Sequence, residues 1–548
     1  MKYPARGFIV LLAFYFAFPA LATVRNVQTY GATGNGSTDD RAAINSAIAA
    51  LVGGDELYFP CPSSLYLISS ALNTIAVNNV TIDGQTGCSN GRVTIKDTNS
   101  GSTIMQIGNG NLSATTPITA STAELDTSFQ ANFSAIGAGA GDYVFLTELN
   151  DIQQGSGASG SGHCSVSGCR AEVLKLASVS GSTGTVTTAV HYVYDPNNDS
   201  DCPQAGGCAP TVQKLTNPIT GISVHDLTFD GGGASGVGLE GDGLVNATFT
   251  NLKFQNIQYS GTNFALDFRY GFNNSFTNIE ATNNGGTGCC STFGMYYEGN
   301  PRVNGVSLHN SVGNTFGFNT VGTSNGTISN ITVDWTGNTS GRPFKTTGAV
   351  YSTYNNITVK NVGGSYENGL SLEAYSQHNV FNTCVVSNNS GAGISLFDNS
   401  GAPQGGQAVN GHNIFNNCTV SGNSTYQFYV GQYSTDVEIN GGTYTGYSGD
   451  PNAIIESAVN PTNNLYVHNA TINGPGGAGI YIQGDTACIN SNTFASGFAS
   501  GTYAIYIASG TGSGGAGNTL NGYNTNLTAG TCPAGVPTPP TGLAATVQ

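Results

Sequence analysis

Short runs in which hydrophobic residues alternate with small or polar ones fill most of this chain, and the clearest of them repeat. Residues 378–390 read HNVFNTCVVSNNS and residues 412–424 read HNIFNNCTVSGNS, an offset of 412 − 378 = 34. Thirteen residues after its first Phe, each copy is followed by a second run, Ile394-Ser395-Leu396-Phe397 and Phe428-Tyr429-Val430-Gly431. Alternate side chains of an extended strand point to opposite faces, so these runs predict strands with one face in a core, Ile394 and Val430 inward. The Asn/Gly/Ser clusters between them predict turns. A pair of strands at a recurring spacing predicts one coil of a β-solenoid.

Looser copies extend in both directions, from VNATFTNLKF at 245–254 and NNSFTNIEA at 273–281 to NNLYVHNATI at 463–472 and AIYI at 504–507. Roughly ten or more coils of unequal length result, as expected when each coil keeps its core and insertions go to loops on one side. The Asn pairs before strands, such as Asn273-Asn274, Asn355-Asn356 and Asn416-Asn417, suit coil corners, because Asn tolerates left-handed backbone and bonds locally.

Residues 26–51 (NVQTYGATGNGSTDDRAAINSAIAAL) break the strand pattern. They predict a short strand, a Gly-rich turn and an amphipathic helix with Ser37 or Thr38 as cap, Asp39 and Asp40 in its first turn, and Ile44, Ala47, Ile48 and Leu51 on one face. Such a helix would cover the open end of the solenoid and shield its strand edges. Residues 1–22 carry Lys2 and Arg6, an apolar stretch and Ala20-Leu21-Ala22, which predicts a secretory signal peptide. The expected organisation is 1–22 signal peptide, 23–123 cap helix and first coils, 124–215 a small β-rich insertion flanking the groove, 216–530 the main solenoid, and 531–548 a Pro-rich tail.

Composition narrows the class. Charged residues make up 8%, hydrophobic residues 39% and Gly 78 of 548 residues, with a net charge of −16. Disorder and a collagen-like repeat are both excluded by this balance and by the lack of a three-residue Gly period. An acidic chain disfavours nucleic acid and repels anionic polymers overall unless a local basic patch or Ca²⁺ intervenes. No membrane partner is expected after signal cleavage, and monomer and trimer are left open. In an oxidising compartment the 12 cysteines can pair; Cys61/Cys88, Cys164/Cys169, Cys202/Cys208 and Cys488/Cys532 are the expected staples. Cys384 and Cys418, at the same place in successive coils, suit an interior thiol stack as well as a bridge. None of the cysteines, Cys289-Cys290 included, has metal-ligand spacing.

The Gly-rich turn and cap helix of residues 26–51 resemble the N-terminal signature of the pectate lyase superfamily, the right-handed parallel β-helix proteins that include polygalacturonase-like and rhamnogalacturonase-like enzymes and some phage tailspikes. The resemblance implies an all-β, right-handed parallel β-helix and action on a polysaccharide. Asn35 stands where the family usually has an acidic residue. The polygalacturonase pattern of N-T-D, paired D-D and G-H-G is missing: the one D-D is Asp39-Asp40 in the cap, and Gly411-His412-Asn413 matches by half.

Aligning the second strand of each coil places Asp267, Glu298, Asn319, Ser352, Glu373, Phe397 and Glu456 in one outward column, with Tyr296, Ser371, Ser395, Tyr429 and Tyr481 two residues earlier. Neighbouring coils lie ~4.8 Å apart, so Asp267 and Glu298 are expected as a catalytic carboxylate pair, one raised in pKa as proton donor and the other ionised. Arg269 is expected to hold a substrate carboxylate, and Tyr296, Asn319, Glu373 and Tyr375 to bind substrate. Lone His309 and His378 are expected in structural roles, and the single Trp335 in packing. The leading expectation is a secreted, pectin-type glycoside hydrolase needing no cofactor. A Ca²⁺-dependent lyase is the nearest alternative, with Asp267 and Glu298 on the ion and Arg269 or Lys345 as base; a non-catalytic carbohydrate-binding solenoid is the other.

Overall fold

The computed structural model describes residues 22–88, 91–98, 103–148, 170–196, 210–233, 236–260, 264–287, 291–313, 315–336, 341–364, 368–373, 375–397, 410–431, 434–446, 453–457, 464–474, 477–495 and 503–530. The signal segment, Cys164, Cys169, Cys202, Cys208, Cys289, Cys290, Cys532 and the Pro-rich tail lie outside them.

The described chain is a parallel β-solenoid built on one 34-stranded sheet. One of its faces starts at Val24–Asn26 and climbs through Glu56–Phe59, Thr81–Gly84 and Ser223–His225 to the long strands Thr248–Gln255, Ser275–Thr282, Arg302–His309, Thr327–Asp334, Thr353–Lys360 and Val380–Ser387. Each long strand bends around a corner midway. Asn251, Asn278, Gly305, Asn330 and Asn356 have φ of 54°, 56°, 78°, 58° and 55° there, left-handed values that Asn and Gly take at least cost. The bend explains the burial rhythm: Phe249, Leu252 and Phe254 all point inward although the spacing is three and then two. Outside, the corner amides form a ladder, with Asn278 donating to Asn251 at 2.9 Å and Asn356 to Asn330 at 3.0 Å.

Inside, like residues stack on like. Phe293, Phe318 and Phe344 lie face to face with centroids 5.0 Å apart at each step, and Tyr354, Phe381 and Phe415 follow at 4.4 and 4.9 Å. These spacings match the distance between parallel strands, so each ring fills the same slot in every coil. Ile394, Val430 and Trp335 are in this core. Cys384 and Cys418 form a disulfide between consecutive coils, and Cys61 bonds to Cys88. Cys488 is also disulfide-bonded.

At the start of the chain, the helix Arg41–Ala49 buries Ile44, Ala47 and Ile48 over the first coils. Its capping differs from expectation. Asp40 is the N-cap residue but makes no side-chain cap; its carboxylate instead accepts Thr33 N at 2.6 Å and Gly34 N at 3.1 Å, tying down the Gly-rich turn. Asp39 takes the capping work, accepting Arg41 N at 3.1 Å, and Asn35 closes the turn by accepting from Ser37 and Thr38.

A separate six-stranded sheet interrupts the solenoid, its strands running from Thr116–Pro117 to Thr211–Lys214. It packs on the turns that follow one solenoid face: Phe145 meets Tyr270 and Tyr297 at 5.1 and 5.0 Å, Tyr143 meets Phe272 at 5.3 Å, and the Arg170 guanidinium lies 4.6 Å over the Tyr375 ring. Among the described residues, no helix is long and apolar enough to cross a membrane.

Candidate functional site

The face walled by the insertion runs through Thr103–Ile107, Val237–Asp242, Leu266–Arg269, Ser291–Tyr296, Thr315–Val321, Gly341–Thr347 and Leu370–Glu373. Its register defines two outward columns. One reads Gln106, Glu240, Asp267, Gly294, Asn319, Lys345, Ser371; the other reads Asp242, Arg269, Tyr296, Val321, Thr347, Glu373.

This register corrects the expected acid pair. Asp267 faces Gly294, not Glu298. Glu298 sits beyond the end of its strand and is fully buried, with Oε2 accepting Asn274 Nδ2 at 3.0 Å. The reason lies in an interior amide ladder. Asn379 and Asn413 bond to each other and to backbone at successive corners, but Asn274 is followed at the equivalent place by Pro301, which offers no side-chain acceptor. Glu298 supplies one. Burial, only partly offset by Asn274 and the Gly271 N–H, pushes its carboxyl up to about 8, so it is a neutral structural group at pH 7.

The partner of Asp267 across one coil is Glu240. Val237–Asp242 presents Glu240 and Asp242 outward while its interior is left to neighbouring side chains; a Cβ on Gly241 would come within 2.4 Å of the Phe268 ring. Glu240 also receives Thr103 Oγ1 at 3.3 Å and Gln106 Nε2 at 3.5 Å. Asp267, 3% exposed, is gripped by Arg269 through Nη2 at 2.7 Å and Nε at 3.1 Å. Three carboxyls and one guanidinium thus meet on two consecutive coils.

The electrostatics follow. Burial first, then the charges of Glu240 and Asp267, push Asp242 up to about 7. Burial also raises Asp267, to about 6, against the pull of Arg269. Burial works against the Arg269 charge, but Asp267 and Asp242 outweigh it and hold the guanidinium above its ordinary value. Tyr296, raised by burial and by the Asp267 charge, stays a neutral phenol. Its hydroxyl accepts Asn319 Nδ2 at 3.1 Å, and its ring lies 5.6 Å from the Arg269 guanidinium carbon.

Of the expected site residues, the structure brings together Asp267, Arg269, Tyr296 and Asn319. Glu373 is on the same face but in an ion network, with Lys345 Nζ at 3.1 Å and Arg342 on its other oxygen. Tyr375 is turned away under the insertion, where Arg170 covers it. Ser352 bonds to the corner at Gly326 N, outside both columns. The side chains of Phe397 and Glu456 are outside the described set. His378 stacks between Tyr351 and His412 at 4.5 and 4.6 Å and bonds Glu124 of the insertion at 3.1 Å. Sequence reasoning missed Glu240 and Asp242. The signal was E-x-D at strand spacing in VGLEGD, masked by the flanking glycines of GGGASGVGLEGDG, which read as a turn.

The parallel β-helix is the fold that the resemblance drawn from the cap implies. Residues 24–290 match the family model described as rhamnogalacturonase A/epimerase, pectate lyase-like. Similar solved structures include the tailspike of Acinetobacter baumannii bacteriophage AP22 in complex with A. baumannii capsular saccharide (11% identity, TM-score 0.50, covering 93% of this chain and 79% of that one). The tailspike of Pseudomonas phage LKA1 is another (13%, 0.49, 92% and 83%). A third is the A-module of the Azotobacter vinelandii mannuronan C-5 epimerase AlgE6 (14%, 0.43, 90% and 98%). At 11% identity the AP22 tailspike speaks for the fold alone. No curated protein matches the chain.

Proposed function

We propose that this chain is an exported polysaccharide-degrading enzyme, a glycoside hydrolase acting at the Glu240, Asp242 and Asp267 floor, with a pectin-type polymer as the substrate class its family resemblance suggests. The observation that carries this reading is three carboxyls on two adjacent coils balanced by one cation. Like charges so placed cannot all ionise at neutral pH, so one carboxyl keeps a proton while its neighbours do not.

Asp242 is the proton donor to the glycosidic oxygen, because burial and two flanking acids hold its proton to about 7. Glu240, two residues away on the same strand, is the carboxylate that activates water or attacks the anomeric carbon. Asp267 is a positioning residue. Clamped by Arg269, it keeps negative charge beside Asp242 and so keeps the proton in place. Arg269 is only partly committed to Asp267, its side chain being 42% exposed, and its outer edge is left for a substrate carboxylate or hydroxyl.

The lyase reading needs a base for the C5 proton. Arg269 is held charged by two acids, and Lys345 is 1% exposed and paired with Glu373. Neither suits the task, which favours hydrolysis. The test is incubation with pectin, rhamnogalacturonan, galactan, xylan and alginate, with and without chelator. Reducing ends without ultraviolet-absorbing product, unaffected by chelator, support the proposal. Unsaturated product lost on chelation means a Ca²⁺-dependent lyase, and binding with no product on any polymer means a non-catalytic solenoid.

A further inference from the structure

A second cluster lies on a different face, away from the acid floor. Thr81–Gly84 and Ser223–His225 pair in register, His225 beside Asp83, although the whole insertion separates them in sequence. Asp226 follows at the corner with φ 59°, heading the ladder that continues with Asn251. His225 Nδ1 lies 3.0 Å from Asp83 Oδ1 and 3.0 Å from Asp226 Oδ2, and the three atoms lie within 4.8 Å of one another.

Hydrogen bonding does not account for this convergence. Nδ1 carries at most one proton, and it is aligned on Asp226. Asp83 Oδ1 is left buried without a hydrogen bond, a costly state for a carboxylate oxygen. Further negative charge arrives from Glu56 near Asp83. The nearby cation Arg92 is spent on Glu280 and on Asn251. Two carboxylates therefore flank one imidazole, with a third near Asp83.

The separations fit an ion. A metal bonded to nitrogen and oxygen at about 2.0–2.2 Å holds adjacent ligands roughly 3–3.5 Å apart, and the shift needed from 3.0 Å is a few tenths of an ångström. We propose that Asp83, His225 and Asp226 ligate a divalent transition metal of the Zn²⁺ type, through one imidazole nitrogen and two carboxylate oxygens. The imidazole sets the choice of metal, since Ca²⁺ and Mg²⁺ prefer all-oxygen sites while imidazole suits Zn²⁺ and its neighbours. Asn251 Nδ2, donating to Asp226 Oδ1, orients one ligand from the outer shell. The ion would fasten the coils before the insertion to the coil that resumes after it, and would stabilise the fold by binding only its native form.

The test uses the full chain, stripped with chelator and dialysed against Zn²⁺, beside His225→Gln and Asp83→Asn. Asp83→Asn keeps the shape of a side chain whose Oδ1 accepts no hydrogen bond, so this variant keeps its fold and separates loss of metal from loss of structure. Wild type is expected to take up one tightly held Zn²⁺ per chain and to melt higher with it. Each variant is expected to bind at least about 10-fold more weakly and to lose the Zn²⁺-dependent rise. Equal uptake by wild type and both variants, no uptake by wild type, or uptake of Ca²⁺ in place of Zn²⁺ would overturn the assignment. Polysaccharide cleavage is not the readout, so the outcome is independent of the hydrolase proposal.

Discussion

Glu240 and Asp267 stand opposite each other across one coil step, in register on adjacent parallel strands. Both project from the walled face, yet only Asp267 has a cation bound directly to it. Under the proposed hydrolase reading, that asymmetry divides the labour of the site: Asp267 and Arg269 form a fixed pair, and Glu240 and Asp242 are left to face the substrate.

Replacing Glu240 with Gln or Asp242 with Asn should therefore abolish turnover on whichever polysaccharide is cleaved. General acid–base help is worth ~10²–10⁴-fold, and the double variant should be scarcely worse than either single one, because a catalytic unit is not additive. The Glu240 side chain is partly exposed, so melting of Glu240→Gln should shift little. Near-normal turnover in both single variants would remove the chemistry from this floor.

The raised carboxyls also predict a sign for stability against pH. Asp242 ionises near 3.8 when unfolded and about 7 when folded, so between these values the folded state binds the extra proton. Stability from this group is full below about 3.8, falls as pH rises, and is flat above about 7. Asp267, raised to about 6, acts in the same direction. Denaturant melts of wild type and Asp242→Asn across this range should show the difference between them growing in the variant's favour as pH rises. A constant difference would mean that Asp242 titrates normally.

Much of the fold was legible because the solenoid repeats its core: Phe381 and Phe415 occupy one slot, and the repeat in the sequence is that slot seen twice. The register of the walled face was less legible. Turns of unequal length precede the strands there, so counting forward from Asp267 landed on Glu298 where the backbone places Gly294. Ionisable residues are ambiguous in a chain so poor in charge, since Glu298 and Glu240 look alike until burial separates a neutral interior acid from a groove carboxylate. Tyr375 failed for another reason: the contacts that turn it under Arg170 come from an insertion distant in sequence.

Glu298 supplies a test of that distinction. Glu298→Gln keeps a neutral side chain with an acceptor for Asn274, and should leave both activity and melting close to wild type. Glu298→Ala strands the Asn274 amide in the interior and should cost about 1–3 kcal/mol, measured by denaturant unfolding. A large loss of activity in a well-folded Glu298→Gln would restore Glu298 to the chemistry.

The interior stack sets the scale against which these effects are judged. Phe318 lies between Phe293 and Phe344 at 5.0 Å on either side, so Phe318→Ala should cost about 3–5 kcal/mol, the loss of buried area plus a cavity that two rigid rings cannot close. Ile394→Asp should cost at least as much by placing an unpaired charge in a fully apolar slot.

Arg269 gives the last prediction, because it separates positioning from binding. Arg269→Gln leaves Asp267, almost fully buried, without its cation, so the Asp267 carboxyl should rise further and take a proton nearer neutral pH. With that negative charge gone, Asp242 loses a raising influence larger than the lowering one of Arg269 that is removed with it, and should titrate lower. Asp242, as proton donor, sets the base limb of the pH–rate profile; that limb should therefore move to lower pH in Arg269→Gln, alongside any rise in KM from a lost substrate contact. Arg269→Lys, which keeps the charge but not the two-pronged grip, should restore much of the profile and less of the KM. If instead both variants raise KM with the pH profile unmoved, Arg269 is a substrate clamp and nothing more, and Asp267 does not act through it on the proton donor.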